Sequence, residues 1–257
     1  MMIFGRIVML QEERFDRILS EVSSKGAVKV AELADLMSTS ESTIRRDINE
    51  LDAAGKLRKV FGGAVPIDKG ILTVDADVRI KSQKQIKEKE EIARYAASLI
   101  EDYDVVFLDA GTTTERMIDF LNNRTVVYVT NSVANVQKLA QRGFTAYVTG
   151  GTLKLHTQAL VGPAAMNFIN DFNFTKCFVG ANGIDINRGY TTPNMDEAAI
   201  KRVVIQNSQN VYIIADSTKF GLISAVTFSP IEKAEIITDT LPDRNILKYT
   251  SVVEAGR

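Results

Sequence analysis

Two groups of residues in this chain have types and spacings that could do chemistry. The first is a set of short loops of small, hydroxyl and acidic residues: Asp109-Ala-Gly-Thr-Thr-Thr114, Thr130-Asn-Ser132, Thr149-Gly-Gly-Thr152, Gly180-Ala-Asn-Gly183 and Ala215-Asp-Ser-Thr-Lys219. Gly111 lets the backbone approach an anion. Thr112, Thr113 and Thr114 then open a helix whose free N–H groups and positive dipole end attract phosphate. Lys219 is either the cation for that phosphate or a surface charge. Asp109 and Asn131 suit hydroxyl groups, or else cap helices. Thr130, Gly150, Gly151 and Asn182 complete a polar set that equally serves turns. The second group is Ser42, Thr43, Arg45, Arg46 and Asn49. These types donate to phosphates and read base edges in a major groove, although arginines on a helix are also commonly just solvated.

The elements that must position the second group are legible around it. Over residues 40–51, Ile44, Ile48 and Leu51 fall at i, i+4 and i+7, the apolar stripe of a helix. Residues 30–37 form a second short amphipathic helix, joined to it by Ser38-Thr39. Residues 12–24 supply a third, with Phe15, Ile18, Leu19 and Val22 at helical spacing. Gly55 stops the reading helix as a C′ residue would. Residues 56–65 then read as a basic two-stranded ribbon turning at Gly62-Gly63, with Arg58 and Lys59 placed to hold backbone phosphates. The spacing therefore predicts a winged helix-turn-helix over residues 10–65, its helix-turn-helix at 30–49. Acids and bases are about balanced in this span, so any positive charge must be local to the third helix and the wing.

The loops of the first group follow apolar runs. Residues 105–108, 126–129, 146–148, 177–179, 211–214 and 235–237 read as strands, and 114–121, 132–141, 164–171 and 195–208 as helices. Most strands lack alternation, as expected when both faces of a parallel sheet are covered. The expectation is an open α/β domain over 83–245, in which ligands gather where strands end. Residues 66–82 are expected to be a polar linker. The lysines at 81, 84, 87 and 89 read as a solvated helix face or a DNA contact. Ile92, Ala93, Ala96, Leu99 and Ile100 give the helix that carries the last of them an apolar side.

Composition narrows the remaining choices. A length of 257 residues fits a small and a larger domain, and 45% hydrophobic residues suffice for a core. Net charge of −1 argues against a general polyanion binder. The single cysteine, Cys177, cannot form an internal disulfide, and one histidine excludes common His/Cys zinc sites, so no metal or cofactor is expected. Cys177 falls in a buried strand, and His156 either lines the pocket mouth or sits exposed in a loop; neither has the setting of a nucleophilic triad. No apolar run reaches membrane-span length, and the sequons at Asn123 and Asn173 lack a secretory signal. The chain is expected to be cytoplasmic, with Met9 as its natural start.

Thr43-Ile-Arg-Arg-Asp-Ile-Asn-Glu-Leu51, the Gly55 stop and Val60-Phe-Gly-Gly-Ala64 resemble the N-terminal domain of the DeoR family of bacterial transcriptional regulators. The loops after residue 108 resemble that family's sensor domain, which shares its fold with ribose-5-phosphate isomerase. The resemblance implies an oligomeric repressor, dimer or tetramer, of a sugar-catabolism operon. It implies a double-stranded operator as one partner and a phosphorylated sugar as effector, with fructose or tagatose phosphates the first to consider. It also raises an enzyme reading, an isomerase with a DNA-binding head. Gly180-Ala-Asn-Gly-Ile-Asp185 is similar to the isomerases' catalytic segment, where an acid acts as base, but Asn182 and Gly183 cannot take a proton from carbon. Asp185 serves as well as a turn cap, and Asp196 and Glu197 favour a helix dipole. Glu197 remains the acid available to a sugar hydroxyl. The chain is therefore expected not to be an enzyme. A protein-binding adaptor is the other alternative.

Overall fold

A computed structural model describes residues 10–66, 70–75 and 77–256. The opening segment with its Met9 start, and residues 67–69 of the expected linker, lie outside the described residues. The chain divides into two compact units between residues 69 and 70.

The first unit runs α1 (Gln11–Lys25), β1 (Val28–Lys29), α2 (Val30–Leu36), α3 (Glu41–Ala53), β2 (Arg58–Val60) and β3 (Gly63–Val65). Its core is the predicted stripe: Ile44, Ile48 and Leu51 of α3 are buried against Ile18, Val22, Leu33 and Leu57. Each such aliphatic side chain contributes roughly 1.5–3 kcal/mol by leaving water. Ser40 caps α3 by accepting the Thr43 N–H at 3.2 Å. After the last turn Gly55 takes a left-handed φ of 65°. The ribbon has a third strand that sequence reading missed, because two residues are too few to show periodicity. β1 pairs antiparallel with β3, and a Cβ on Gly63 would stand 2.1 Å from the Val28 carbonyl oxygen. Only glycine permits that approach. The wing is also tied to α3, because the Lys59 N–H donates to the Asp52 carboxylate at 3.0 Å.

The second unit begins with β4 (Ile71–Leu72), α4 (Val78–Ser82) and α5 (Ile86–Ser98), then β5 (Val105–Leu108), α6 (Thr112–Met117), β6 (Val127–Thr130), α7 (Val133–Gln141) and β7 (Ala146–Val148). A hairpin of β8 (Thr152–Leu153) and β9 (Leu160–Val161) leads to α8 (Pro163–Asn170), β10 (Phe174–Gly180), β11 (Gly183–Asp185), β12 (Gly189–Thr192) and α9 (Met195–Gln206). The chain closes with β13 (Ser208–Ile214), β14 (Ile223–Ser224), β15 (Val226–Ser229), β16 (Glu235–Thr238) and β17 (Val252–Glu254). Seven strands form a sheet in the order β17-β16-β13-β10-β5-β6-β7, every pair parallel. Successive residues enter opposite cores: Phe107, Cys177, Val179 and Ile213 pack on one face, and Val106, Leu108, Phe178 and Ile214 on the other. That two-sided burial is why the strands read as unbroken apolar runs. β17 lies beyond the expected end at 245, its short apolar run unread.

The segment expected as linker differs from its reading. From Gly70 it belongs to the second unit, where β4 pairs in parallel with β14 and the Val78 N–H donates to the His156 carbonyl at 3.0 Å. Its charged composition hid these contacts because they are backbone and ion-pair interactions rather than apolar ones.

The first unit also holds a buried charge pair, Arg14 donating from Nε and Nη2 to the two oxygens of Asp47 at 2.7 and 3.0 Å. Asp47 is fully buried on the same helix that carries Arg45 and Arg46 outward. Replacing Asp47 by Ala leaves the arginine without this partner and should lower the stability of this unit by about 3 kcal/mol, read as a lowered urea midpoint by far-ultraviolet circular dichroism; an unchanged midpoint would show that the pair contributes nothing.

Candidate functional site

The exposed face of α3 carries Ser42, Arg45, Arg46 and Asn49 together, with Ile44 and Ile48 turned inward. Thr43 is half-buried, and its hydroxyl lies 2.9 Å from Ser40 Oγ, so part of its hydrogen-bonding capacity goes to the cap. Arg45 reaches back one turn to Glu41 at 2.6 Å. An exposed pair of this kind is weak and yields readily to a phosphate. Arg58 and Lys59 are exposed on β2 of the same unit. The result is a polar, cationic ridge on a helix with a basic ribbon beside it, the arrangement that lays a helix in a major groove.

In the second unit the sheet defines the other site. The chain leaves the centre through β5 toward β6 and β7, then returns to build β10, β13, β16 and β17 on the opposite side. Strand order thus reverses between β5 and β10, where the βα loops diverge and open a crevice at the carboxyl ends. A cavity of about 630 Å³ sits there. Its size is that of a small-ligand site. Asp109 ends β5 and enters the crevice buried, where its carboxylate accepts the Gly180 N–H at 3.0 Å and the Lys201 ammonium. Lys201 also donates to the Gly180 carbonyl at 3.0 Å. One turn before it on α9, Glu197 lines the cavity and accepts from Thr157 Oγ1 at 2.7 Å. Burial raises the Glu197 carboxyl above the usual range, with Lys201 and Thr157 opposing.

The same cavity carries several cations among its acids. Lys81, Lys84, Lys89 and Lys219 line the cavity with the Gly111–Thr114 loop, and neither Lys84 nor Lys89 is ion-paired among the described residues. Lys89 is buried, which overturns the reading of a fully solvated lysine face. Burial pulls its ammonium down to about 8; Asp216 opposes that shift, while Lys219, Arg116 and Lys81 add to it. At the α6 start, the Glu115 N–H donates to Gly111 O at 2.9 Å, beginning the helical ladder. Thr114 is structural: its hydroxyl donates to Asp109 O and accepts the Gly111 N–H at 3.1 Å.

The structure brings Asp109, Gly111, Thr112, Thr113, Thr114, Asn182, Glu197 and Lys219 around one cavity. It does not bring Thr130, Asn131, Gly150 or Gly151 there, a correction to the expected site. Thr130 is fully buried, donating to Leu108 O at 2.6 Å, and Asn131 uses both ends of its amide on Ala110 N–H and Leu160 O. Gly150 is exposed, and Gly151 is packed against the Val161 carbonyl. These loops serve turns, the competing use of their residue types. Asp185 caps the turn that follows it, accepting the Asn187 and Arg188 N–H groups at 2.9 and 2.8 Å. His156 is exposed, and burial pushes the Cys177 thiol up to about 12, leaving it unreactive. Sequence reasoning missed Lys201, Lys89 and Asp75. The i, i+4 spacing of Glu197 and Lys201 after a strand–turn was the available signal for the first. Among the described residues no acidic, histidine or cysteine cluster could hold a metal ion, and no helix is long and apolar enough to cross a membrane.

Residues 14–70 match the family described as DeoR-like helix-turn-helix domain, and residues 84–240 match the DeoR C terminal sensor domain. The chain belongs to the DeoR family of transcriptional regulators. It is 40% identical to the HTH-type transcriptional regulator FruR of Bacillus subtilis, over 90% of this chain and 91% of that protein. It is 32% identical to a lactose phosphotransferase system repressor of Staphylococcus aureus, over 96% of this chain and all (100%) of the relative. Among solved structures, ribose 5-phosphate isomerase A from Neisseria gonorrhoeae gives a TM-score of 0.39 at 14% identity, covering 52% of this chain and 53% of that one. This member of the DeoR family is a DNA-binding transcriptional regulator. Replacing Arg46 by Ala should weaken binding to a fragment of its own promoter by roughly 1–3 kcal/mol, measured by gel shift at fixed salt; undiminished affinity would remove Arg46 from the reading face.

Proposed function

We propose that this DeoR-family regulator represses a sugar-catabolism operon in the cytoplasm and is released from its operator by a phosphorylated sugar bound in the cavity between β5 and β10. One observation carries this reading: the cavity brings Lys84 and Lys89, neither ion-paired among the described residues, and the α6 start together with the carboxylates of Asp109 and Glu197. A phosphate suits the first, because two negative charges gain from Lys89, Lys219 and the Thr112–Thr113 backbone together. Sugar hydroxyls suit the second, since they donate to Asp109 and Glu197 and accept from Asn182. The lactose phosphotransferase system repressors among the relatives support a repressor of sugar uptake or breakdown. A helix-turn-helix unit spans only a short half-site, so the working form is a homodimer or homotetramer on repeated sites.

Glu197 favours one alternative, a sugar-phosphate isomerase with a DNA-binding head, because a buried carboxyl of raised proton affinity can act as acid or base. Turnover in an aldose–ketose assay would establish that alternative; none is expected, since Asn182 stands where the isomerases' catalytic acid is expected.

Gly111 has an extended φ, so what it supplies is room: a Cβ there would meet Thr114 Oγ1 at 3.2 Å. Gly111→Val should abolish the response of operator binding to fructose 1-phosphate and fructose 6-phosphate while sparing operator binding itself; a normal response would remove the phosphate loop. Binding should also depend on pH. An anion is held by the charged form of Lys89, so affinity is full below about 8 and falls as pH rises through that value. The phosphate itself stays dianionic over this range, its second pKa being about 6. Lys89→Met should cost about tenfold in affinity at pH 7 and flatten the profile in calorimetric titrations from pH 6.5 to 9.5; a profile unaltered by the substitution would exclude Lys89.

A further inference from the structure

The chain that enters the second unit from the winged unit is itself a wall of the cavity. Leu72, Val74, Asp75, Val78, Lys81 and Lys84 all line it. Among the described residues, the Val78 N–H ties this wall to the His156 carbonyl at 3.0 Å, and its other main-chain ties are short. β4 pairs with β14 over Ile71↔Ile223 and Leu72↔Ser224, and the Ala225 N–H donates to Leu72 O at 3.0 Å. Lys89 donates to the Lys81 carbonyl, and Arg116 to the Ser82 carbonyl at 3.2 Å.

The side chain that reaches furthest into the chemistry is Asp75. Its carboxylate accepts from Asn182 Nδ2 at 2.8 Å and pairs with the Lys81 ammonium, with only 12% of the side chain exposed. It also stands close enough to Glu197 for the two negative charges to oppose one another, and Asp109 adds to the same crowd. Three carboxylates in one crevice are unfavourable, and a neutral hydroxyl in place of one of them relieves the repulsion. Asn182 keeps a partner in the exchange, because a hydroxyl also accepts its N–H, although more weakly than a carboxylate does. Lys81 gains, because a phosphate group offers more negative charge than Asp75.

We propose that Asp75 and the effector compete for the same partners, Asn182 and Lys81, so that a phosphorylated polyol binds by expelling Asp75 and loosening the segment that leads to the winged unit. This rests on the sugar-phosphate reading of the cavity. It assigns to residues 71–75 and 78–84 a double role as ligand wall and transmission element. Coupling is reciprocal: whatever holds this segment on β14 weakens the ligand, and the ligand weakens its hold.

The test is calorimetric titration of the full-length protein, its Asp75→Ala and its Asp75→Asn variants with fructose 1-phosphate, fructose 6-phosphate and inorganic phosphate. A sugar phosphate that binds the wild type should bind Asp75→Ala roughly tenfold tighter, the worth of one charged hydrogen-bonded contact, and its effect on operator affinity should shrink. Inorganic phosphate should also bind Asp75→Ala more tightly, because Lys81 Nζ and Asn182 Nδ2 both meet Asp75 Oδ1 and a phosphate oxygen can take its place. Amide exchange on the wild type, which needs no variant, should speed up at Ala225 when the sugar phosphate is added. Equal affinity in all three proteins with normal wild-type binding would overturn the competition and leave the sugar-phosphate reading standing. Weaker binding by both variants would make Asp75 a direct ligand contact and likewise overturn it. Failure of every probe on the wild type would bring down the reading and this inference together.

Discussion

The second unit is organised around one carboxylate placed where a parallel sheet divides. Asp109 lies at the end of β5, beside the central strand β10, buried, and joins the two halves of the sheet by accepting the Gly180 N–H from β10 and the Lys201 ammonium from α9. A buried carboxylate is costly unless charge and hydrogen bonds compensate it, and here both come from across the reversal in strand order. The consequence is geometric. The βα loops on either side are fixed relative to each other while the crevice between them stays open. Every other feature of the cavity is hung on that fixed edge: the Gly111–Thr114 turn begins two residues after Asp109, and Glu197 stands one helical turn from its partner Lys201.

The charges of the cavity are delivered in pairs by several elements. Lysines come from α4, α5, α9 and the loop after β13; acids come from the segment after β4, the end of β5, α9 and the same loop after β13, where Asp216 faces Lys219. Burial makes their field stronger than the same charges would produce in water, and it is also what brings Lys89 close to its titration point at physiological pH.

Much of this was legible in the sequence, and the limits have physical causes. The α3 stripe at Ile44, Ile48 and Leu51 is a period of 3.6 residues and reads directly. The parallel sheet reads from apolar runs, because both of its faces are buried. The Asp109 and Gly180 loops were found from residue type, as were the unrelated loops at Thr130 and Gly150. Small hydroxyl residues do two jobs, and only three-dimensional position tells which: Asn131 spends its amide on the backbone, whereas Asn182 turns into the crevice. Lys89 reads as a solvated face or a DNA contact because periodicity marks apolar faces and is silent on a buried cation. Asp75 reads as linker because nothing local distinguishes a carboxylate in water from one 2.8 Å from an amide 107 residues later in the chain.

A last consequence concerns the winged unit. The carboxylate of Asp52, on α3, holds the main chain of Lys59 in the ribbon, and Gly63 lets β1 close against the ribbon from the other side. Recognition helix and ribbon therefore turn as one rigid tool. Evolution can exchange the side chains on the helix to choose another base sequence without disturbing the angle at which the ribbon meets the sugar–phosphate rail. Drift at Asp52 would instead blur every sequence equally.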